Sequence, residues 1–213
     1  MSATTAMKAR LFDLFAGTME LVRDGNRNGE EVAKVLQTIK DHANFATLLG
    51  FAAGILRTVA TVSASATKSF CAKDYFVVVV KATENANVRI AWLGDNFRKH
   101  FLNKVEKHID GAILAAHRLE KDLLDREIRT ELGSTHEETA LSYLWELLTK
   151  QPNGESGVLL TNGYANIFYI RSAAGTLWAV YASWNDDGWY VNAYSVEYPL
   201  RWNAGGQVFS CDS

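Results

Sequence analysis

The side chains best equipped for recognition chemistry are aromatic and sit late in the chain. The sequence holds 6 Trp, 8 Tyr and 10 Phe, and 12 of these 24 rings lie between Tyr164 and Phe209. Trp184, Trp189, Tyr190, Tyr194 and Trp202 are the candidate ligand-binding residues, because aromatic faces stack on sugars and bases while Tyr and Trp add hydrogen-bond donors. The competing reading is cross-strand packing in a sheet, where such rings pair without any ligand. Along residues 177–184, Trp178, Val180, Ala182 and Trp184 share one face and Leu177, Ala179 and Tyr181 the other. Both faces are partly apolar, so one is expected to pack on helices and the other to need a cover or a ligand.

A second candidate is the turn Gly94-Asp95-Asn96. A strand that stops before a helix leaves backbone N–H groups at the helix start, where an anion can bind. Asp95, Asn96 and Arg98 are the residues of that anion-binding reading; Asp95 as a plain helix cap is the simpler one. The turn lacks the Gly-rich phosphate signatures and the nucleophile elbow. No catalytic residue follows from the sequence, and no cofactor or metal is expected. His100, His108 and His117 recur at intervals of eight and nine, read here as a solvated face of one long helix. Metal-binding helices use intervals of three or four. Cys71 and Cys211 form no CxxC pair, and two carboxylates at Asp186-Asp187 are too few for calcium.

The elements that position these residues follow from periodicity. Met7, Leu11, Leu14, Phe15 and Val22 repeat at helical spacing up to Asp24-Gly25. Asn28, with Glu31 three residues on, caps a second helix striped by Val32, Val35, Leu36, Ile39 and Phe45. The pair reads as a helical hairpin over residues 1–49. Its second helix offers only Lys34, Gln37 and Lys40 to a phosphate backbone, which argues against a DNA-reading motif. Residues 50–69 fit either a buried helix or a strand at Thr58–Ser63. Phe76–Val80 and Val88–Leu93 read as strands of a hairpin turning at residues 84–87. From Asn96, the positions Phe97, Phe101, Val105, Ile109, Ile113, Leu119, Leu123 and Ile128 predict helix to about Leu132, broken near Gly111. Ser134 and Glu137 form a capping box ahead of a helix striped by Leu141, Leu144, Trp145 and Leu148.

Pro152-Asn153-Gly154 then marks a boundary. Ile167–Arg171, Thr176–Trp184 and Trp189–Val196, separated by four-residue loops ending in Gly, predict a three-stranded antiparallel meander. Residues 207–211 would add an edge strand. The expected fold is α+β: a helical N-terminal half with a short β-hairpin, then a C-terminal antiparallel meander packed by helices. Its segments are 1–49, a mixed region 50–150, and 151–213, the last two forming one unit.

Composition narrows function by exclusion. With 22 basic and 24 acidic residues the net charge is −2, so no global field favours nucleic acid or an anionic membrane. At 48% hydrophobic and 22% charged, the 213 residues suit an ordinary folded chain. The stretch from Phe45 to Val62 carries Arg57 and is too polar for a membrane span, and the start of the chain lacks a signal-peptide core. The strings Trp92–Phe101, Leu159–Ile170 and Val208-Phe209-Ser210 resemble those of an uncharacterised bacterial hypothetical-protein family of unknown function. That resemblance implies a bacterial, cytoplasmic setting and carries no site residues. The expected role is a non-enzymatic interaction or ligand-binding protein, taking a small molecule on the aromatic sheet or a protein partner or second copy through its helices. A small hydrolase or transferase centred on Asp95 is the alternative. A nucleic-acid-associated role using Arg98, Lys99, Lys104 and Lys107 is weaker still.

Overall fold

A computed structural model describes residues 20, 23–25, 28–41, 54–79 and 87–212. The chain divides into two compact units, residues 1–54 and 55–213. In the first, helix α1 (Gly29–Asp41) starts where its cap predicts, with Asn28 Oδ1 accepting from the Glu30 amide at 2.9 Å. Most of the expected first helix, and Phe45, lie outside the described residues, as does most of the turn at 84–87.

The second unit is built on one seven-stranded mixed sheet. Its strands are β1 (Leu56–Ala64), β3 (Ile90–Leu93), β5 (Ala112–Leu119), β7 (Asn166–Arg171), β8 (Leu177–Asn185), β9 (Gly188–Ser195) and β11 (Gln207–Asp212). Their order is β1-β5-β11-β7-β8-β9-β3, with β11–β7 and β9–β3 parallel and the other pairs antiparallel. Strands β2 (Thr67–Cys71) and β4 (Val105–Ile109) form a separate pair, and β6 (Leu123–Leu124) pairs with β10 (Arg201–Trp202). The remaining helices are α2 (Ala72–Tyr75), α3 (Asp95–Phe101), α4 (Asp125–Leu132) and α5 (Leu141–Lys150).

This overturns the expected helical N-terminal half, since strand exceeds helix and the sheet is large and mixed. Of the ambiguous residues 50–69, 56–64 form strand β1 and 67–69 begin β2, while 50–53 lie outside the described residues. The helix expected from Asn96 to Leu132 stops at Phe101, and β4, β5 and β6 follow. Two features hid those strands. The inward residue of β4 is Glu106, only 5% exposed, so no apolar alternation shows. β5 is rich in Ala and buried on both faces, which removes the period-2 signal. Phe76–Val79 is an irregular connector; Phe76 enters the core against Phe97 and Trp145 while Val77 faces outward. β3 pairs with β9, and among the described residues the Val79 amide donates to the Ile90 carbonyl. The expected edge strand at 207–211 lies inside the sheet between β5 and β7. The β7-β8-β9 meander stands where the alternation and loop glycines place it, as the middle of that larger sheet.

Each face of the sheet carries its own core. On the first, Phe168, Val180, Ala182, Trp189, Val191 and Phe209 meet Phe97 and Phe101 of α3 and Leu141, Leu144, Leu147 and Leu148 of α5. The spacing of the α5 leucines gives the helix one apolar stripe. On the second face, Ile167, Tyr169, Ala179 and Val208 pack with Leu119, Leu123 and Ile128, the last on α4.

Helix α5 has no side-chain cap of its own, since Ala140 precedes it and Glu137 pairs instead with Arg129 at 2.8 Å. The cap comes from afar. Glu106 Oε1 and Oε2 accept from the amides of Leu141 and Ser142 at 2.8 and 2.9 Å. Lys104 Nζ lies 2.9 Å from the same carboxylate and donates to the Arg171 carbonyl at 2.6 Å. A buried carboxylate at a helix start satisfies free N–H groups and complements the helix dipole. Glu106→Ala is expected to cost about 3–5 kcal/mol, because it leaves two amides at the start of α5 without an acceptor and takes the carboxylate from the half-buried Lys104. Glu106→Gln should cost less, since the amide oxygen still accepts. Urea unfolding of the two variants tests this; equal, small losses would count against it.

Candidate functional site

Alternation along β8 and β9 sorts the predicted aromatic residues onto opposite faces. Asn185 pairs with Gly188 and Trp184 with Trp189, so these two indoles share the first face, with ring centroids 5.4 Å apart. Trp189 is fully buried and its Nε1 donates to the Gln151 carbonyl at 2.9 Å. Trp184 packs over the Pro152-Asn153-Gly154 turn. Gly154 has φ +73°, and a Cβ there would overlap the Trp184 ring. Both indoles are therefore structural. They hold down the loop after α5, which the Gln151 side chain orders further through Glu155 and Leu159.

Tyr190, Tyr194 and Trp202 lie on the second face, where Tyr181 joins them. Tyr181 stacks on Tyr194 at 5.5 Å, and Trp202 meets both edge-on at 5.3 and 6.0 Å. The exposed Tyr198 extends the stack beyond Tyr194 at 6.2 Å. Tyr181, Tyr194 and Trp202 line a cleft of about 240 Å³ together with Tyr164, Ile167 and Ser183. Ser183 pairs across the strands with Tyr190, whose ring lies 5.8 Å from the exposed Trp92 on β3. An aromatic shelf thus runs from the cleft to the sheet edge. Tyr164, Tyr181 and Trp92 are absent from the residues singled out by sequence for binding. Period-2 alternation is the signal that finds them, because adjacent residues such as Trp189 and Tyr190 cannot share a face.

The cleft is anchored from beneath. Asp125 Oδ1 accepts from Trp202 Nε1 at 2.9 Å and from Tyr169 Oη at 2.7 Å, while its Oδ2 is buried without a partner. Burial pushes the Asp125 carboxyl above its ordinary range, against the downward pull of those two hydrogen bonds. Burial likewise pushes the Tyr181 hydroxyl up to about 12, so it remains a neutral donor in the cleft wall.

The turn at Asp95 is differently arranged. Gly94 precedes α3, a helix of 7 residues, and its amide donates to the Val191 carbonyl. Asn96 Nδ2 donates to the Ala193 carbonyl and Arg98 Nε to the Leu93 carbonyl, both at 2.9 Å. These groups splice β3 to β9. The three histidines do not share a helix: His100 stacks on Trp178 from α3, His108 is in β4 and His117 in β5. Among the described residues no three His, Cys, Asp or Glu side chains converge to hold a metal, and no helix is long and apolar enough to cross a membrane. Comparison with protein-family models, curated proteins and solved structures finds no match for the chain.

Two outcomes check this geometry. Trp189→Ala should cost about 3–5 kcal/mol through cavity formation, and Trp184→Ala less, because only the first is fully buried. Equal losses in thermal melts would contradict the assignment. Asp125 carries the pH dependence. A carboxyl raised in the folded state binds its proton more tightly there than in the unfolded chain. Its contribution to stability is therefore full below the ordinary value of 3.8 and declines as pH rises through the higher folded value. Asp125→Asn should remove that decline, so the variant gains on the parent as pH rises from about 4 to about 8. A difference in unfolding free energy that stays constant with pH would refute it.

Proposed function

We propose that the chain is a small-molecule-binding protein whose site is the aromatic cleft on the second face of the sheet. One observation carries this reading: Tyr181, Tyr194 and Trp202, joined by Tyr164, form walls of rings around one cleft. Its volume, about 240 Å³, falls just below the usual range for drug-sized ligands, which suits a single ring. Rings offer faces for stacking, and the Tyr181 and Ser183 hydroxyls and the Asn203 amide offer hydrogen bonds. The ligand that fits is a compact, polar, ring-shaped molecule of monosaccharide or nucleobase size. The exposed Tyr190–Trp92 shelf would accept a further ring of a longer ligand.

Tyr194→Ala is expected to weaken binding about tenfold or more, as aromatic stacking contributes roughly 1–3 kcal/mol per base. It should leave the fold intact, because Tyr194 is half-buried and packs on the margin of the second core rather than within it. The measurement is ligand-observed nuclear magnetic resonance against a panel of monosaccharides and nucleosides, followed by titration of any hit. A panel with no saturable binder, or a hit equally bound by Tyr194→Ala and Tyr164→Ala, would retire the reading.

A further inference from the structure

A second groove, of about 330 Å³, opens on the same face of the sheet nearer its β1 edge. Three adjacent strands deliver a line of polar side chains into it. Thr58 on β1 pairs with His117 on β5, and His117 pairs with Val208 on β11, which puts Ser210 diagonally beside His117 on the same face. His117 Nε2 lies 2.8 Å from Ser210 Oγ, and its Nδ1 lies 3.0 Å from Thr58 Oγ1. The sequence repeat of His100, His108 and His117 offered no hint of this, because the partners come from strands far apart in the chain.

We propose that Ser210 is a nucleophile for acyl groups, with His117 as its general base and Thr58 as a positioning residue. A serine hydroxyl needs an adjacent base, and the base needs a third group to fix its tautomer. In the tautomer protonated at Nδ1, the Thr58 oxygen accepts that proton and the Nε2 lone pair faces Ser210 Oγ, which is the tautomer the proposal requires. Ser210 is 4% exposed and lines the groove together with His117, so its hydroxyl is held on the imidazole where a substrate or water enters. Leu56, Ala115 and Leu132 give the groove an apolar wall suited to a short acyl chain. The nearby His136 is engaged by the Cys211 carbonyl at 3.0 Å, which leaves His117 as the imidazole on the serine. Cys211, the competing nucleophile, donates to the Glu138 carbonyl, and burial keeps its thiol protonated.

The substrate class is an activated ester. Ser210 Oγ attacks the carbonyl carbon as its proton passes to His117 Nε2. The bond to the leaving oxygen breaks, and that oxygen takes the proton from Nε2. The product is an acyl-serine ester and a free alcohol or phenol. Water, activated by His117 in the same way, then releases the carboxylic acid and restores the serine.

The test is to treat the full chain with p-nitrophenyl acetate, follow release of p-nitrophenolate, and map the adduct by peptide mass spectrometry. One acetyl group on Ser210 is expected, with none in Ser210→Ala. Thr58→Val should slow acetylation about tenfold, the order of one neutral hydrogen bond, and Thr58→Ser should restore it, with all melts unchanged. Mapping the parent chain alone suffices if a variant fails to fold. An unmodified Ser210, or acetyl found only on lysines or on Cys211, overturns the proposal. Binding in the aromatic cleft is measured separately and does not depend on this result.

Discussion

A single carboxylate joins three separate pieces of the fold. Glu106 belongs to the small β2–β4 pair, caps α5 on the first layer, and holds Lys104, which reaches the turn between β7 and β8. The pieces cannot drift apart without leaving buried charge or open amides unsatisfied, and each such loss is large beside a domain's net stability. Once α5 is fixed, its leucine stripe seals the first face of the sheet, and every inward residue of β8, β9 and β11 on that face has its place. Only then does the second face acquire a defined shape.

The second face is packed differently. Among the described residues of the second unit, helix α4 packs on part of it, and on this side no helix packs on the strands toward β3. Open apolar strands would invite association. The sheet meets the difficulty with tyrosine. Phe168 and Phe209 point to the sealed face and stack on each other at 4.4 Å. Tyr169, Tyr181, Tyr190 and Tyr194 point to the other, where each ring shields backbone while its hydroxyl finds a partner or water. Tyr169 gives its hydroxyl to Asp125; Tyr190 gives its own to Asp187 at 3.0 Å.

How much of this was legible depended on which residue filled the inward positions. The meander was readable because β7, β8 and β9 keep apolar residues inward and place glycine in their loops. Gly175, at φ +82°, supplies a turn conformation that other residues resist. β4 was illegible because its inward residue is a glutamate, and β5 because alanines serve both faces and mimic a helix. The connector Phe76–Val79 looked like a strand by composition, yet only Phe76 is used, as a core ring. The candidate site was half legible. Tyr190, Tyr194 and Trp202 share one face, but Trp184 and Trp189 belong to the opposite one. The two-residue Asp186-Asp187 turn sets Trp184 against Trp189, and period 2 then sends Tyr190 away from both. Long-range pairings were beyond reach: nothing local ties Glu106 to Leu141, or His117 to Ser210.

Polar groups follow the same division of faces. On the first face a hydroxyl without a partner would be orphaned among leucines and phenylalanines, and the buried Glu106 there is satisfied by helix amides and Lys104. On the second face, neighbouring strands and helix α4 complete the bonds of His117, Ser210 and Tyr169. Water held in such clefts meets rigid rings and only a few oriented partners, and it is more easily displaced by a matching solute than water over a flexible charged surface. Side chains held in register on one face of a rigid sheet are thus the structural condition that both the aromatic cleft and the serine groove share.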